Sequence, residues 1–146
     1  MVRVSRTEVD LVTAREMVAA ALAAAVGQGA LVSAAVVDAG GNLVAFERMD
    51  GAEIAGPVLA PDKAYTAVAH RIGTHELATL VAPGGPLAGM NAAGGGRYVC
   101  FAGGLPLWAD GRAVAGIGVS GGTAEQDLAA ATAGAAVFAA RELADR

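Results

Sequence analysis

The chain has 146 residues, 55% of them hydrophobic and only 16% charged, a balance that excludes intrinsic disorder and fits one domain over residues 1–146. The net charge of −4, with no dense basic patch, argues against nucleic acid as a partner. Aromatics are 4% while glycines number 21, so the apolar fraction is mostly Ala and Val; such small side chains bury little area each and predict further burial in a homo-oligomer.

The N-terminus lacks the apolar stretch of a secretory leader, and no apolar run is long enough to span a membrane. Cys100 is the only cysteine, so no internal disulfide forms, which fits a reducing cytoplasm. Ser5 and Glu8 fit a capping box for a first helix over residues 6–27, with Leu11, Ala14, Val18, Ala21, Leu22 and Ala25 as its apolar stripe. Residues 31–38, apolar on both faces, predict a central strand; a Gly-Gly turn returns the chain as a second strand over 43–49. A helix is predicted between Gly56 and Arg71, with Pro57 or Pro61 as its first residue, and Thr74 caps a short helix to about Val81. Residues 82–97 contain six glycines and predict a long functional loop. Three short strands follow over 98–101, 105–108 and 112–120, the last two joined by Asp110-Gly111. Thr123 and Gln126 then cap a final helix to about Leu143. The order α-β-β-α-α-β-β-β-α, with connections too short for parallel crossovers, gives an α+β fold: a five-stranded antiparallel sheet flanked by helices.

Lys63, Thr66, Ala67 and His70 share one face of the second long helix, opposite Val58, Tyr65, Val68 and Ile72. That face is either a wall of a ligand pocket or the solvated side of an amphipathic helix, and spacing alone favours the second. Lys63 is the only lysine, and an ammonium titrates more readily than a guanidinium and can form a Schiff base. His70 and His75 are the only histidines; a helix break separates them and further donors are missing, so zinc is not expected. Either suits a haem ligand or an acid/base, with His70, on the face of Lys63, the better placed. Cys100 reads as a small buried hydrophobe. Gly116 to Gly121 spells Gly-x-Gly-x-x-Gly, but a single helix follows and no βαβ unit can form, so neither NAD nor another nucleotide is expected; the glycines read as close-packing positions. Arg48 could hold a ligand acid group and Asp50 could orient it or act as a base, although a solvated strand end is the simpler reading.

Several stretches together resemble one family. They are Val36-Val-Asp-Ala-Gly-Gly-Asn-Leu-Val-Ala-Phe-Glu-Arg-Met-Asp-Gly-Ala52, Lys63-Ala-Tyr-Thr-Ala67 with Thr74, and Gly103-Gly-Leu-Pro106, Gly111 and Gly116-Ile-Gly-Val-Ser-Gly-Gly122 followed by Glu125-Gln-Asp127. The resemblance is to the GlcG/HbpS-like haem-binding family (DUF336), related to the C-terminal domain of PduO. It implies a profilin-like fold with five antiparallel strands, oligomers and, in some members, haem. This chain departs from the pattern at Pro61, at His70-Arg71 in place of a more apolar pair, and at His75 in place of a small or acidic residue.

Three functional readings follow. The first is a small-ligand pocket, with haem as the ligand, near a subunit interface; it is formed by Arg48, Met49 and Asp50, the Lys63/Thr66/His70 face with Thr74, and the Gly-rich loop. His70 or His75 would ligate iron, and Arg48 or Arg97 would pair with propionates; the shortage of aromatics counts against such a pocket. The second is a cofactor-independent isomerase or lyase for a small oxygenated metabolite, with Lys63 or His70 moving the proton, Asp50 assisting and Arg48 or Arg97 holding an acid group. The third is a non-catalytic sensor or assembly subunit.

Overall fold

The computed structural model describes residues 1–146. Helix α1 spans Leu11–Gly27 and starts later than residue 6, because Asp10 and not Ser5 is its cap: the Asp10 carboxylate accepts the Thr13 N–H at 2.7 Å. Its buried stripe is Thr13, Ala14, Met17, Val18, Ala21 and Ala25, while Leu11, expected inside, is exposed.

The sheet has four strands, β1 (Ser33–Asp38), β2 (Leu43–Arg48), β3 (Gly104–Ala109) and β4 (Arg112–Ser120), all antiparallel in the order β2-β1-β4-β3. The fifth strand expected over residues 98–101 is absent. There the Val99 N–H donates to the Thr66 hydroxyl at 2.9 Å, so the segment is pinned to a helix and not to a sheet edge. Asp110 and Gly111 both take the positive φ that a tight two-residue hairpin needs.

Side chains alternate across β4, and that alternation sets the layers. Ile117 and Val119 point into the main core with α1 and α4, while Gly116 and Gly118 face α2 (Gly56–His70). The result is α1 and α4 on one face and α2 on the other, with β1 buried on both sides. Pro57 is the second residue of α2, and Pro61 lies inside the helix one turn later.

Helix α2 ends at Arg71, which adopts a left-handed conformation and donates its N–H to the Ala67 carbonyl. Helix α3 (Thr74–Leu80) is capped by Gly73, whose N–H donates to Glu76; Thr74, expected as the cap, instead accepts the Gly104 N–H at 2.9 Å and ties α3 to β3. The Gly-rich loop carries two short 3-10 turns, Met90–Ala92 and Gly94–Gly96. Helix α4 (Ala124–Ala144) begins at the Thr123–Gln126 capping box read from the sequence. No helix is long and apolar enough to cross a membrane.

Candidate functional site

Glycines bring α2 onto the sheet. A Cβ at Gly116 or Gly118 would collide with the carbonyl oxygens of Ala64 or Ala60, and one at Gly104 with the carbonyl of Lys63. With the helix backbone held this close, the Lys63 side chain is buried and its Nζ reaches the end of β4 and the first turn of α4. Nζ donates to the Val119 carbonyl at 2.9 Å and to Asp127 at 3.1 Å, and it lies 4.9 Å from the centre of the Phe101 ring. The other Asp127 oxygen accepts the Gly122 N–H at 2.8 Å. Burial pulls the Lys63 pKa below its ordinary value, and the Asp127 carboxylate pushes it back up. The polar face of α2 is therefore turned inward, contrary to the solvated face that spacing alone favours; an ion pair compensates its charge.

Thr66 is also fully buried, and its hydroxyl does double duty. It donates to the Asp62 carbonyl at 2.6 Å and accepts the Val99 N–H. This pins residues 97–101 over the outer side of α2. Arg97 pairs with Asp62 at 3.1 Å and lays its guanidinium 3.5 Å from the centre of the Tyr65 ring. Tyr98 stacks against Tyr65 at 6.2 Å and meets His70 edge-on at 4.5 Å. The Nε2 atom of His70 is buried with no hydrogen-bond partner, and so is Nδ1 of His75. Leaving such a nitrogen unpaired costs about 1–3 kcal/mol, so each marks a place where an incoming group could bond.

Residues 48–50 lie elsewhere. Arg48 pairs with Ser33, whose hydroxyl abuts Gly56 at the start of α2. His70 is at the far end of that helix, about 20 Å away at 1.5 Å per residue. Arg48 and Asp50 are exposed, while Met49 continues the strand, with its N–H donating to Val32 and its sulfur accepting the Val32 N–H at 3.3 Å. Within one chain, the structure thus brings Thr66, His70 and Arg97 together around Tyr98. It pairs Lys63 with Asp127, uses Thr74 as a tie, and leaves Arg48 and Asp50 apart.

Cys100 is half-buried, and burial raises its thiol pKa. No group of three or more His, Cys, Asp or Glu residues is arranged to hold a metal ion. Clefts of about 440, 260 and 500 Å³ open on the surface, and Lys63, His70, His75 and Arg97 line none of them. Sequence reasoning missed Asp62, Tyr65, Tyr98 and Asp127 as parts of these clusters. Thr66 meets only the main-chain carbonyl of Asp62, which any residue would supply, and the Asp62 carboxylate joins through Arg97, 35 positions later; nothing in the spacing connects Lys63 to Asp127.

A family model described as "Haem degrading protein HbpS-like" matches residues 9–136. The crystal structure of Klebsiella pneumoniae protein ORFY, assigned to DUF336, superposes with a TM-score of 0.91 at 34% identity, covering 96% of this chain and 97% of its own. PduOC, solved as a haem complex, superposes at 0.86 with 37% identity over 90% of this chain and 95% of its own. A double-mutant form of HbpS from Streptomyces reticuli superposes at 0.85 with 38% identity over 93% of this chain and 90% of its own.

Proposed function

The chain belongs to the HbpS-like family, and we propose that it is a haem-binding member whose iron ligand is His70. The observation that carries this reading is the buried, unpartnered Nε2 of His70 beside the Tyr98 ring. An imidazole nitrogen is an ordinary haem ligand, and an aromatic neighbour suits a flat macrocycle. PduOC, similar over most of its length, was solved with haem.

The remaining residues fit in part. Arg97 would pair with a propionate in this reading, and Asp62 holds it at 3.1 Å in the structure. A Cβ at Gly95 or Gly96 would meet nothing within 4 Å, so the loop leaves space on that side. His70 lines none of the three clefts described above, so in this reading the missing walls come from a second copy. Bound haem would supply a redox-active iron; His70 would hold it and Tyr98 would fix the imidazole plane. His75, five residues on, is the second candidate ligand. Proton transfer by Lys63 in an isomerase or lyase draws less support, because Val119 and Asp127 already engage its buried Nζ.

The test is a hemin titration of the purified chain. A saturable Soret shift is expected, with His70→Ala weakening it and His75→Ala leaving it. No saturable shift, or one unchanged in both variants, would sink the reading.

A further inference from the structure

We propose that a second cleft binds a small organic polyanion, a di- or tricarboxylate or a phosphate ester. It lies where the β1–β2 turn, the β3–β4 hairpin and the end of α2 meet. This goes beyond the haem reading and uses none of its proposed ligating groups. The cleft has a volume of about 440 Å³, and Ser5, Arg6, Thr7, Arg71, Trp108 and Arg112 contribute to its lining. That volume is in the range of small-molecule sites and small for a macromolecular surface.

Three arginines line the cleft, and none of them forms an ion pair. The four ion pairs of the protein use Lys63, Arg97, Arg141 and Arg146; Arg6, Arg71 and Arg112 enter none. Of the nearby acids, Asp110 pairs with Arg146 at 3.3 Å, while Asp38 accepts the neutral N–H groups of Gly40 and Asn42 and keeps its charge on the Arg6 side of the cleft. The carbonyl end of α2 contributes about half a negative charge, which together with Asp38 is still outweighed by the three cations. Planar forked guanidiniums match carboxylate and phosphate oxygens, and the hydroxyls of Ser5 and Thr7 add neutral donors.

The backbone is irregular at the same place. Arg71 is one of two non-glycine residues with positive φ, at 59°. The β3–β4 register shifts between Leu107 and Trp108, and the β1–β2 register shifts between Val36 and Val37, near Ala39 of the lining. Such bulges re-aim side chains beside binding sites. Trp108 is 48% exposed and offers a flat wall to a ligand.

Trp108 is the only tryptophan, so intrinsic fluorescence reports this cleft directly. The whole chain is titrated with succinate, citrate and pyrophosphate at constant ionic strength, with sodium chloride as control. A saturable fluorescence change with at least one anion is expected. Arg71→Gly keeps the left-handed turn, and Arg112→Gln tests a second cation independently; each should weaken binding about tenfold or more. Two results would overturn the proposal: no saturable change with any of the three anions, or an affinity in both variants equal to that of the unmodified chain. Hemin binding by Arg71→Gly should match the unmodified chain; its loss would merge the two sites and overturn a separate one.

Discussion

Lys63 and Asp127 stand 64 positions apart in sequence and meet at 3.1 Å in the interior, their side chains 1% and 6% exposed. The pair joins α2 to the first turn of α4 across the end of β4. Removing one partner of a buried pair strands the other charge, so Lys63→Met should cost about 3–5 kcal/mol. Adding Asp127→Asn should restore much of it, because an amide oxygen can still accept the Gly122 N–H. Urea unfolding of the single and double variants checks this; equal losses in both would contradict it.

The same lysine predicts a pH dependence. Its folded pKa lies below the ordinary value of 10.5, mainly through burial. At pH below the folded pKa, both folded and unfolded chains carry the proton and the burial penalty is fully present. Between the folded pKa and 10.5, the unfolded chain binds a proton that the folded chain does not, so this group's contribution to stability rises with pH. The stability difference between the unmodified chain and Lys63→Met should therefore grow from neutral pH toward 10.5. A flat or falling difference would contradict it.

The contact between β4 and α2 predicts opposite outcomes for two glycines. Gly118→Ala forces a methyl into the Ala60 carbonyl and should destabilise by about 1–3 kcal/mol or more. At Gly27, the last residue of α1, a Cβ meets nothing within 4 Å, so Gly27→Ala should stabilise by about 0.4–1 kcal/mol. Thermal melts of the two variants should move in opposite directions.

Thr66→Val keeps the shape of the side chain and removes its oxygen. The buried Val99 N–H then loses its acceptor, at a cost of about 1–3 kcal/mol. Hydrogen exchange should be accelerated at the Val99 amide more than at amides of β1. Uniform acceleration across the protein would mean that the hydroxyl has no local pinning role.

Much of the architecture is legible in the sequence because it depends on local chemistry. Asp110-Gly111 specifies its hairpin, Thr123 with Gln126 specifies the start of α4, and the apolar run around Val36 specifies a strand buried on both faces. The errors occur where a distant group wins a local competition. Val99 has strand-forming neighbours, but its N–H goes to Thr66, 33 positions earlier. Thr74 is a good helix cap by type, but its hydroxyl is taken by Gly104. Lys63 looks like a surface lysine until Asp127 is placed beside it. The aromatic cluster at His70 was hidden in the same way, since Tyr98 reaches it from beyond the glycine loop.

The strand order also constrains the moment at which this chain can become a protein. β1 sits between β2 and β4, with Ser33 opposite Ser120. During synthesis β1 and β2 can zip at once as a local hairpin, while the other edge of β1 waits for more than half the chain to appear. Closing so large a loop is slow compared with forming a hairpin. Until β4 arrives, an apolar edge containing Val36 and Val37 is open to any passing strand. Helix α4, made after β4, then covers the finished sheet and brings Asp127 to Lys63. Truncation before α4 should therefore leave a nascent chain that is sticky as well as incomplete.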